Sequence, residues 1–165
     1  GSTNRSKRRI YPSQQYRNGV RVRSGLENDL EKDAAKPTET EANKIDRAGM
    51  EQVMTYERSH GRQPQDMNEV APNHTGYDIE SKDPKTGKVR YIEVKSLRNN
   101  WDKRGVCLSL AQFEEGNHRQ DDYWLYVVEF AETEEPTVFP IQNPVGLVGE
   151  FYYDGSWCQL AGEED

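Results

Sequence analysis

The middle of this chain contains a turn sequence with a strand pattern on each side. The residues at 83–88, Asp-Pro-Lys-Thr-Gly-Lys, include the Pro and Gly of a turn. The flanking stretches 76–81 and 89–95 alternate apolar and polar residues, as half-buried strands do. We therefore expect an antiparallel hairpin. With its centre between residues 85 and 86, Asp78 lies opposite Glu93, and Gly76 lies opposite Lys95.

This register brings two carboxylates together. Directly opposed residues have Cβ atoms roughly 4.5–5.5 Å apart, and two carboxylates at that separation repel unless a cation such as a hard divalent metal ion lies between them. The side-chain period of two puts Glu93 and Lys95 on one face, where Lys95 could orient a water or stabilise charge on a phosphate. The Val94 carbonyl is a further candidate ligand. The alternative is a row of solvated charged side chains on the exposed face of the hairpin. Asp78 opposite Glu93 would destabilise the hairpin locally in that case, because like charges face each other.

Residues 41–57 predict one helix. Thr38 or Thr40 is the expected N-cap, and Gly61 is expected to end the helix. Its apolar face is expected to comprise Ile45, Ala48, Gly49, Val53 and Tyr56.

Glu57 follows this apolar face near the end of the helix. We expect it to reach the hairpin as another acidic ligand, directly or through water. The alternative is an exposed glutamate paired with Arg58 or Arg62.

Four short segments resemble the C-terminal domain of the NO VEIN family, and the resemblance extends over roughly residues 45 to 145. The segments are Tyr56-Glu57 with Gly61-Arg62, Gly76-Tyr77-Asp78-Ile79, Ile92-Glu93-Val94-Lys95 and the run at 123–128. That domain is similar to the PD-(D/E)XK nuclease superfamily. The resemblance implies an αβββαβ core, dependence on Mg²⁺ with Mn²⁺ as a substitute, and hydrolysis of DNA phosphodiester bonds.

The same resemblance implies roles for individual residues and for partners. Asp78 and Glu93 match the acidic metal-ligand positions, Lys95 the lysine and Glu57 the helix acid, whereas Tyr77 stands in place of the superfamily's proline. Members often end multidomain chains with helicase-like or ATPase modules, which implies a restriction or anti-phage defence role and a helicase or ATPase partner. A double-strand cut usually needs two active sites, so a homodimer is a further expectation. The chain carries no nucleotide-binding motif of its own.

The remaining segments complete an α/β fold with a central mixed sheet flanked by helices. We expect a third strand at 105–110 that contains a buried Cys107, then a helical stretch at 111–118. The almost continuously apolar run 123–130 predicts a strand buried on both faces, and 138–141 predicts a short edge strand. A last hairpin is expected within 151–160.

The domain boundaries follow from composition. Residues 1–37 lack an apolar period and predict a basic, partly disordered arm or linker, whereas 38–165 predict the nuclease-like domain.

The distribution of charge favours a DNA partner although the net charge is −7. Residues 1–25 hold seven Lys or Arg and no acid, and residues 81–104 hold eight basic and three acidic side chains. In the loop after the second hairpin strand, Arg98, Lys103 and Arg104 flank Trp101, an arrangement suited to phosphate contact and base stacking. We add Gln112 to this predicted nucleic-acid surface. The alternative places Trp101 against the edge of the domain.

Several classes of protein do not fit the sequence. Two cysteines and three histidines without ligand spacing do not predict a zinc site. No apolar run approaches the ~20 residues of a membrane span, and no signal peptide is visible, so we expect no membrane partner and a cytoplasmic location. Two alternatives to a nuclease stay open. One is a catalytically inactive nucleic-acid-binding or assembly module, and the other is a protein-interaction domain that uses the acidic carboxy-terminal part.

Overall fold

The computed structural model describes residues 39–74, 76–102 and 105–149 of the chain. The arm at 1–37 and the hairpin predicted within 151–160 lie outside these residues. The helices and strands are, in chain order, α1 Glu39–Ser59, β1 Gln63–Asp66, α2 Met67–Val70, β2 Ile79–Lys82, β3 Val89–Ser96, α3 Leu110–Arg119, β4 Tyr123–Glu129 and β5 Thr137–Gln142. Short 3₁₀ turns follow α3 and β5.

The five strands form one mixed sheet in the order β1-β2-β3-β4-β5. Neighbouring strands are antiparallel except β3 and β4, which are parallel. A parallel pair requires a crossover connection, and α3 lies within the segment that joins the two strands. The predicted α/β class is therefore confirmed, and the order of elements is αβββαβ with the short α2 and the edge strand β5 in addition.

β4 is buried on both faces, as its apolar run predicts. Tyr126 and Val128 pack on the side of α1, whereas Leu125 and Val127 pack with Phe113 of α3. The sheet is therefore covered by a helix on each face, which explains why β4 lacks the polar alternation of a half-exposed strand.

α1 begins and ends close to the predicted positions. Gly61, with φ of +77°, follows its last turn, and the N–H groups of Gly61 and Arg62 bond to the carbonyls of Arg58 and Glu57. This is the Schellman pattern that glycine permits at a helix end. Thr40 lies inside the helix and is therefore not its N-cap, and the other predicted N-cap, Thr38, lies outside the described residues.

The predicted strand at 105–110 was wrong. Residues 105–107 form no strand, Leu108 makes a single isolated bridge, and Ser109 caps α3. Leu108 is buried and Val106 is partly buried because both pack in the α3-side core without forming a strand ladder, whereas Leu110 is exposed. β1, with the sequence Gln-Pro-Gln-Asp, is the strand that completes the sheet beside β2.

The glycine in the middle of α1 allows the helix to approach β3 closely. A Cβ added at Gly49 would lie 1.7 Å from Ser96 Oγ and 2.6 Å from Ser96 Cβ. The middle of α1 therefore lies against the carboxyl end of β3. Among the described residues, no helix is long and apolar enough to cross a membrane.

Candidate active site

The β2–β3 hairpin has the register that its turn predicts. Ile79 pairs with Ile92 and Lys82 pairs with Val89. Asp78 lies one residue before β2 rather than within it, and its N–H still donates to the carbonyl of Ile92 at 2.8 Å. The predicted start of this strand at Gly76 was wrong, because Gly76 adopts a φ of +100° that extended strands do not have.

Backbone and side-chain donors fix the carboxylate of Asp78. Val94 N–H donates to Oδ2 at 2.9 Å, and the Asn68 side-chain amide donates to Oδ1 at 3.2 Å. Asn68 belongs to α2, which Asp66 caps through the Asn68 N–H. α2 is in turn tied to the hairpin, because the Met67 N–H donates to the carbonyl of Asp78. The short helix thus positions the first acid of the site.

Glu93 is the second acid, and only 5% of its surface is exposed. Its pKa is raised to about 8, by burial first and by the negative charge of Asp78 second, while Lys95 acts in the opposite direction. Lys95 Nζ lies 3.5 Å from Glu93 Oε1. The opposed carboxylates therefore repel, as expected from the hairpin register, and one lysine compensates them only in part.

Gln112 belongs to this site. Its Nε2 donates to Glu93 Oε1 at 2.7 Å, and its Oε1 accepts from Lys95 Nζ at 3.1 Å. The prediction placed Gln112 on the nucleic-acid surface, whereas these bonds engage its amide with the two hairpin residues.

The site also contains an acid that the sequence reasoning missed. Asp46 of α1 lines the same cleft as Asp78 and Lys95. Its pKa is raised by burial first and by the charge of Asp78 second, and Lys95 lowers it in part. Asp46 was not recognised because its position along the sheet depends on how α1 is placed against β3.

Glu57 does not lie in the cleft, so the prediction that it is an acidic ligand was wrong. Its side chain is fully buried, and Arg62 binds it with two nitrogens, Nε to Oε1 at 2.8 Å and Nη2 to Oε2 at 2.5 Å. Tyr126 also donates its hydroxyl to Oε2 at 3.0 Å. The alternative pairing with Arg62 is the one observed, but in the core rather than at an exposed position.

The direction of α1 explains why Asp46, and not Glu57, lines the cleft. α1 runs antiparallel to β3, with Gly49 against Ser96 at one end and Glu57 linked through the Tyr126 hydroxyl to Arg90 at the other. Asp46 and Glu57 are eleven residues apart, which is three turns, so they share a helix face but lie roughly 16 Å apart along the axis. Only Asp46 is at the end of β3 that carries Lys95.

The cleft has a volume of about 400 Å³. It is lined by parts of α1 and α2, by Asp78, by the end of β3 and by the loop before α3, namely Asp46, Met50, Asn68, Asp78, Glu93, Val94, Lys95, Ser96, Leu97, Gly105, Val106 and Cys107. Cys107 is buried as predicted, although in a loop rather than in a strand.

The donor set of the cleft fits a hard divalent cation that keeps most of its own water. Within the part of the chain that the structure describes, no group of three or more His, Cys, Asp or Glu side chains is close enough to hold a metal alone. Asp78 and Glu93 form a pair of oxygen donors instead, and Mg²⁺ is commonly bound by one or two carboxylates plus waters. The pKa of Glu93 is raised by burial first and by the charge of Asp78 second, and a bound cation would favour the charged form of this carboxylate. Val94 lines the cleft, and the role of its carbonyl stays a prediction.

The predicted nucleic-acid residues are less concentrated than expected. Arg98 is exposed and forms an ion pair with Glu41 at 3.4 Å. The Trp101 ring packs edge-on against Phe139, with ring centroids 5.4 Å apart, and its backbone N–H donates to Glu129. Packing against the domain is thus the alternative observed for Trp101. Lys103 and Arg104 lie outside the described residues.

The fold and the cleft together define an α/β domain whose central hairpin carries two opposed carboxylates and a lysine. The chain belongs to the NO VEIN C-terminal family, whose model, described as Protein NO VEIN, C-terminal, matches residues 45–141. The matched segment runs from α1 into β5 and includes the whole described cleft. Neither a curated protein nor a solved structure matches the chain.

Proposed function

We propose that this domain is a metal-dependent nuclease of the PD-(D/E)XK type that hydrolyses DNA phosphodiester bonds. One observation carries the proposal: Asp78, Glu93 and Lys95 line a single cleft, with Lys95 Nζ 3.5 Å from Glu93 Oε1. The two acids supply a cation site, and the lysine supplies a positive donor at the position of a reacting phosphate.

Asp78 and Glu93 would hold the metal ion, with Mn²⁺ able to replace Mg²⁺. Bound Mg²⁺ supplies Lewis-acid chemistry, since it lowers the pKa of water and offsets the charge of a phosphate. Asp78 is oriented for this role by Val94 N–H and by Asn68.

Lys95 and Asp46 have complementary roles in the proposed hydrolysis. Lys95 donates to the attacking water or to a phosphate oxygen and so stabilises the developing negative charge. Asp46 takes the helix-acid role that was predicted for Glu57, because it lines the cleft from α1. Its raised pKa suits a group that exchanges a proton with water in the site.

The biological setting is also part of the proposal. The family resemblance supports action within a restriction or anti-phage defence system, with a helicase or ATPase domain or subunit that delivers the nuclease to DNA. Two domains acting together, for example as a homodimer, would account for a double-strand cut.

Cleavage of supercoiled plasmid and of single-stranded DNA by the purified chain tests the proposal. The wild type is compared with Asp78→Ala and Lys95→Ala in Mg²⁺, in Mn²⁺ and in EDTA. Lys88→Ala, at an exposed position of the same hairpin, is the matched control for Lys95→Ala. Metal-dependent nicking that both site variants lose and the control keeps is the expected result. Equal cleavage by the wild type and Asp78→Ala would overturn the proposal.

One observation favours a second candidate, the catalytically inactive nucleic-acid-binding or assembly module. Asp78 and Glu93 already accept hydrogen bonds from protein donors, namely Val94 N–H, Asn68 and Gln112. A module that uses these groups only to stabilise its hairpin would bind DNA equally well after Asp78→Ala and would cleave it under none of the metal conditions.

A further inference from the structure

Gln112 occupies an unusual position, because its single side chain contacts both functional residues of β3. Its Nε2 donates to Glu93 Oε1 at 2.7 Å. Its Oε1 accepts from Lys95 Nζ at 3.1 Å and also from the backbone N–H of Ser109 at 2.8 Å. Both polar atoms of the Gln112 amide therefore form hydrogen bonds at the amino terminus of α3.

The two donors fix which way this amide points. A backbone N–H and a lysine ammonium can only donate, so the oxygen of Gln112 must face Ser109 and Lys95. The NH₂ group is then directed at Glu93, where it favours an oxygen that accepts over one that carries a proton. The helix backbone thus determines the hydrogen-bond polarity at the carboxylate.

The amino terminus of α3 anchors this arrangement. Ser109 and Gln112 form a capping box, in which Ser109 Oγ accepts from Gln112 N–H at 3.2 Å and Gln112 Oε1 accepts from Ser109 N–H. A capping box makes both bonds to stabilise a helix start. Here the same glutamine oxygen also binds Lys95, so the side chain does more than cap the helix.

We propose that Gln112 is a positioning residue that orients Glu93 toward the bound cation and holds Lys95 beside it. This inference rests on the proposed metal-dependent function of the cleft. Gln112 acts through Glu93 and Lys95 and does not itself bind the metal or the nucleic acid. Partners of this kind outside the ligand set fix the orientation of the ligands, and their loss typically weakens metal affinity or activity about 10–100-fold.

The Mn²⁺ dissociation constant, measured by isothermal titration calorimetry, separates positioning from capping. Gln112→Met keeps the length of the side chain and removes both of its site contacts, and Ser109→Ala removes the hydroxyl of the same cap while leaving its backbone N–H. Both variants should lower the melting temperature, but only Gln112→Met should weaken Mn²⁺ binding, by about 10–100-fold. Equal Mn²⁺ affinity in the wild type and Gln112→Met would overturn the inference.

A second variant answers the case in which Gln112→Met does not fold. Gln112→Glu keeps the oxygen that caps Ser109 N–H but sets a carboxylate against Glu93 and offers Lys95 a new ion pair. We expect a lower kcat for nicking at saturating Mn²⁺, with KM for DNA unchanged, because Lys95 is drawn away from the cleft. A wild-type kcat in Gln112→Glu would contradict the positioning role.

A measurement without metal distinguishes failure of this inference from failure of the proposed function. The side-chain amide signal of Gln112 in a ¹H–¹⁵N NMR spectrum, identified by its loss in Gln112→Met, should shift in Glu93→Gln and stay unchanged in the exposed control Glu114→Gln. An unshifted signal in Glu93→Gln means that Gln112 does not contact Glu93. If the signal shifts as expected but the wild type and Asp78→Ala bind Mn²⁺ equally, the contact stands, and the metal site and the role built on it both fail.

Discussion

Removal of Arg62 should strongly destabilise the domain, because Glu57 would be left as an unpaired charge in the core. Glu57 is fully buried, and the Arg62 side chain is only 12% exposed. Breaking a buried ion pair by deleting one partner typically costs about 3–5 kcal/mol. The Tyr126 hydroxyl still donates to Glu57, which favours the lower end of that range. We therefore expect Arg62→Met to lower the free energy of unfolding by about 3 kcal/mol.

Urea unfolding followed by circular dichroism measures this loss. With an m-value of about 1–3 kcal/mol/M for a small domain, a loss of about 3 kcal/mol lowers the urea midpoint by roughly 1–3 M. The double variant Glu57→Leu/Arg62→Met removes both charges and should be more stable than Arg62→Met alone. A loss of less than about 1 kcal/mol in Arg62→Met would refute the account of Glu57 as a buried structural acid.

Three further predictions concern packing and charge. Gly49→Ala should destabilise the domain by about 1–3 kcal/mol because its Cβ would collide with Ser96, and Ser96→Gly should restore most of the loss in thermal melts. Gly116→Ala should destabilise the domain by a similar ~1–3 kcal/mol, since its Cβ would lie 2.4 Å from Val145 Cγ2, and Val145→Ala should relieve the clash. The metal-free domain should lose stability as pH rises from about 4.5 to about 8, because Glu93 has a pKa of about 8 when folded and an ordinary pKa when unfolded. Melts at several pH values should show a smaller loss in Glu93→Gln, and Mg²⁺ should reduce the loss in the wild type.

Each of these predictions has a clear contradictory outcome. A Gly49→Ala variant as stable as the wild type would show that α1 does not approach β3 as closely as described. A Gly116→Ala variant as stable as the wild type would show the same for the approach of Gly116 to Val145. For Glu93, the direction in which stability changes with pH tests the prediction. An acid whose folded pKa is raised binds an extra proton in the folded state between the two pKa values, so stability must fall as pH rises through that window. The same pH dependence in the wild type and Glu93→Gln would exclude Glu93 as its source.

The hairpin could be predicted in detail because its signals are local. The turn at 83–88 fixes which residues face each other, and the period of two fixes which face they share. The site residues contributed by the hairpin, Asp78, Glu93 and Lys95, were therefore brought into one cleft as expected. β4 was equally clear because burial on both faces removes every polar alternation.

The contribution of α1 could not be predicted because its sequence does not specify how far it slides along the sheet. Asp46 and Glu57 lie on one face of α1, so helical periodicity cannot choose between them. The position of α1 along the sheet is instead set by contacts with other elements. Gly49 packs against Ser96, and Glu57 accepts hydrogen bonds from Tyr126 and Arg62. β1 was missed for a related reason, since a short polar edge strand has no apolar pattern and is defined by its pairing with β2.

The sequence contains a pattern from which the position of Gln112 near the site could have been predicted. Ser109 followed by Gln112 has the spacing of a capping box, which marks the first turn of a helix. In a crossover between parallel strands, the helix starts at the carboxyl end of the first strand. That end of β3 carries Glu93 and Lys95, so the cap predicts a polar side chain near the site, although not its bonds.

The proposed metal-dependent cleavage is tested by the initial rate of plasmid nicking as a function of Mg²⁺ concentration, measured for the wild type and for Asp78→Asn at equal folded fraction. Saturable, Mg²⁺-dependent nicking is expected in the wild type and should be lost in Asp78→Asn, because Asp78 and Glu93 together would form the cation site. Nicking by Asp78→Asn at the wild-type rate and with the same Mg²⁺ dependence would contradict the assignment of the cleft as a metal-dependent nuclease site.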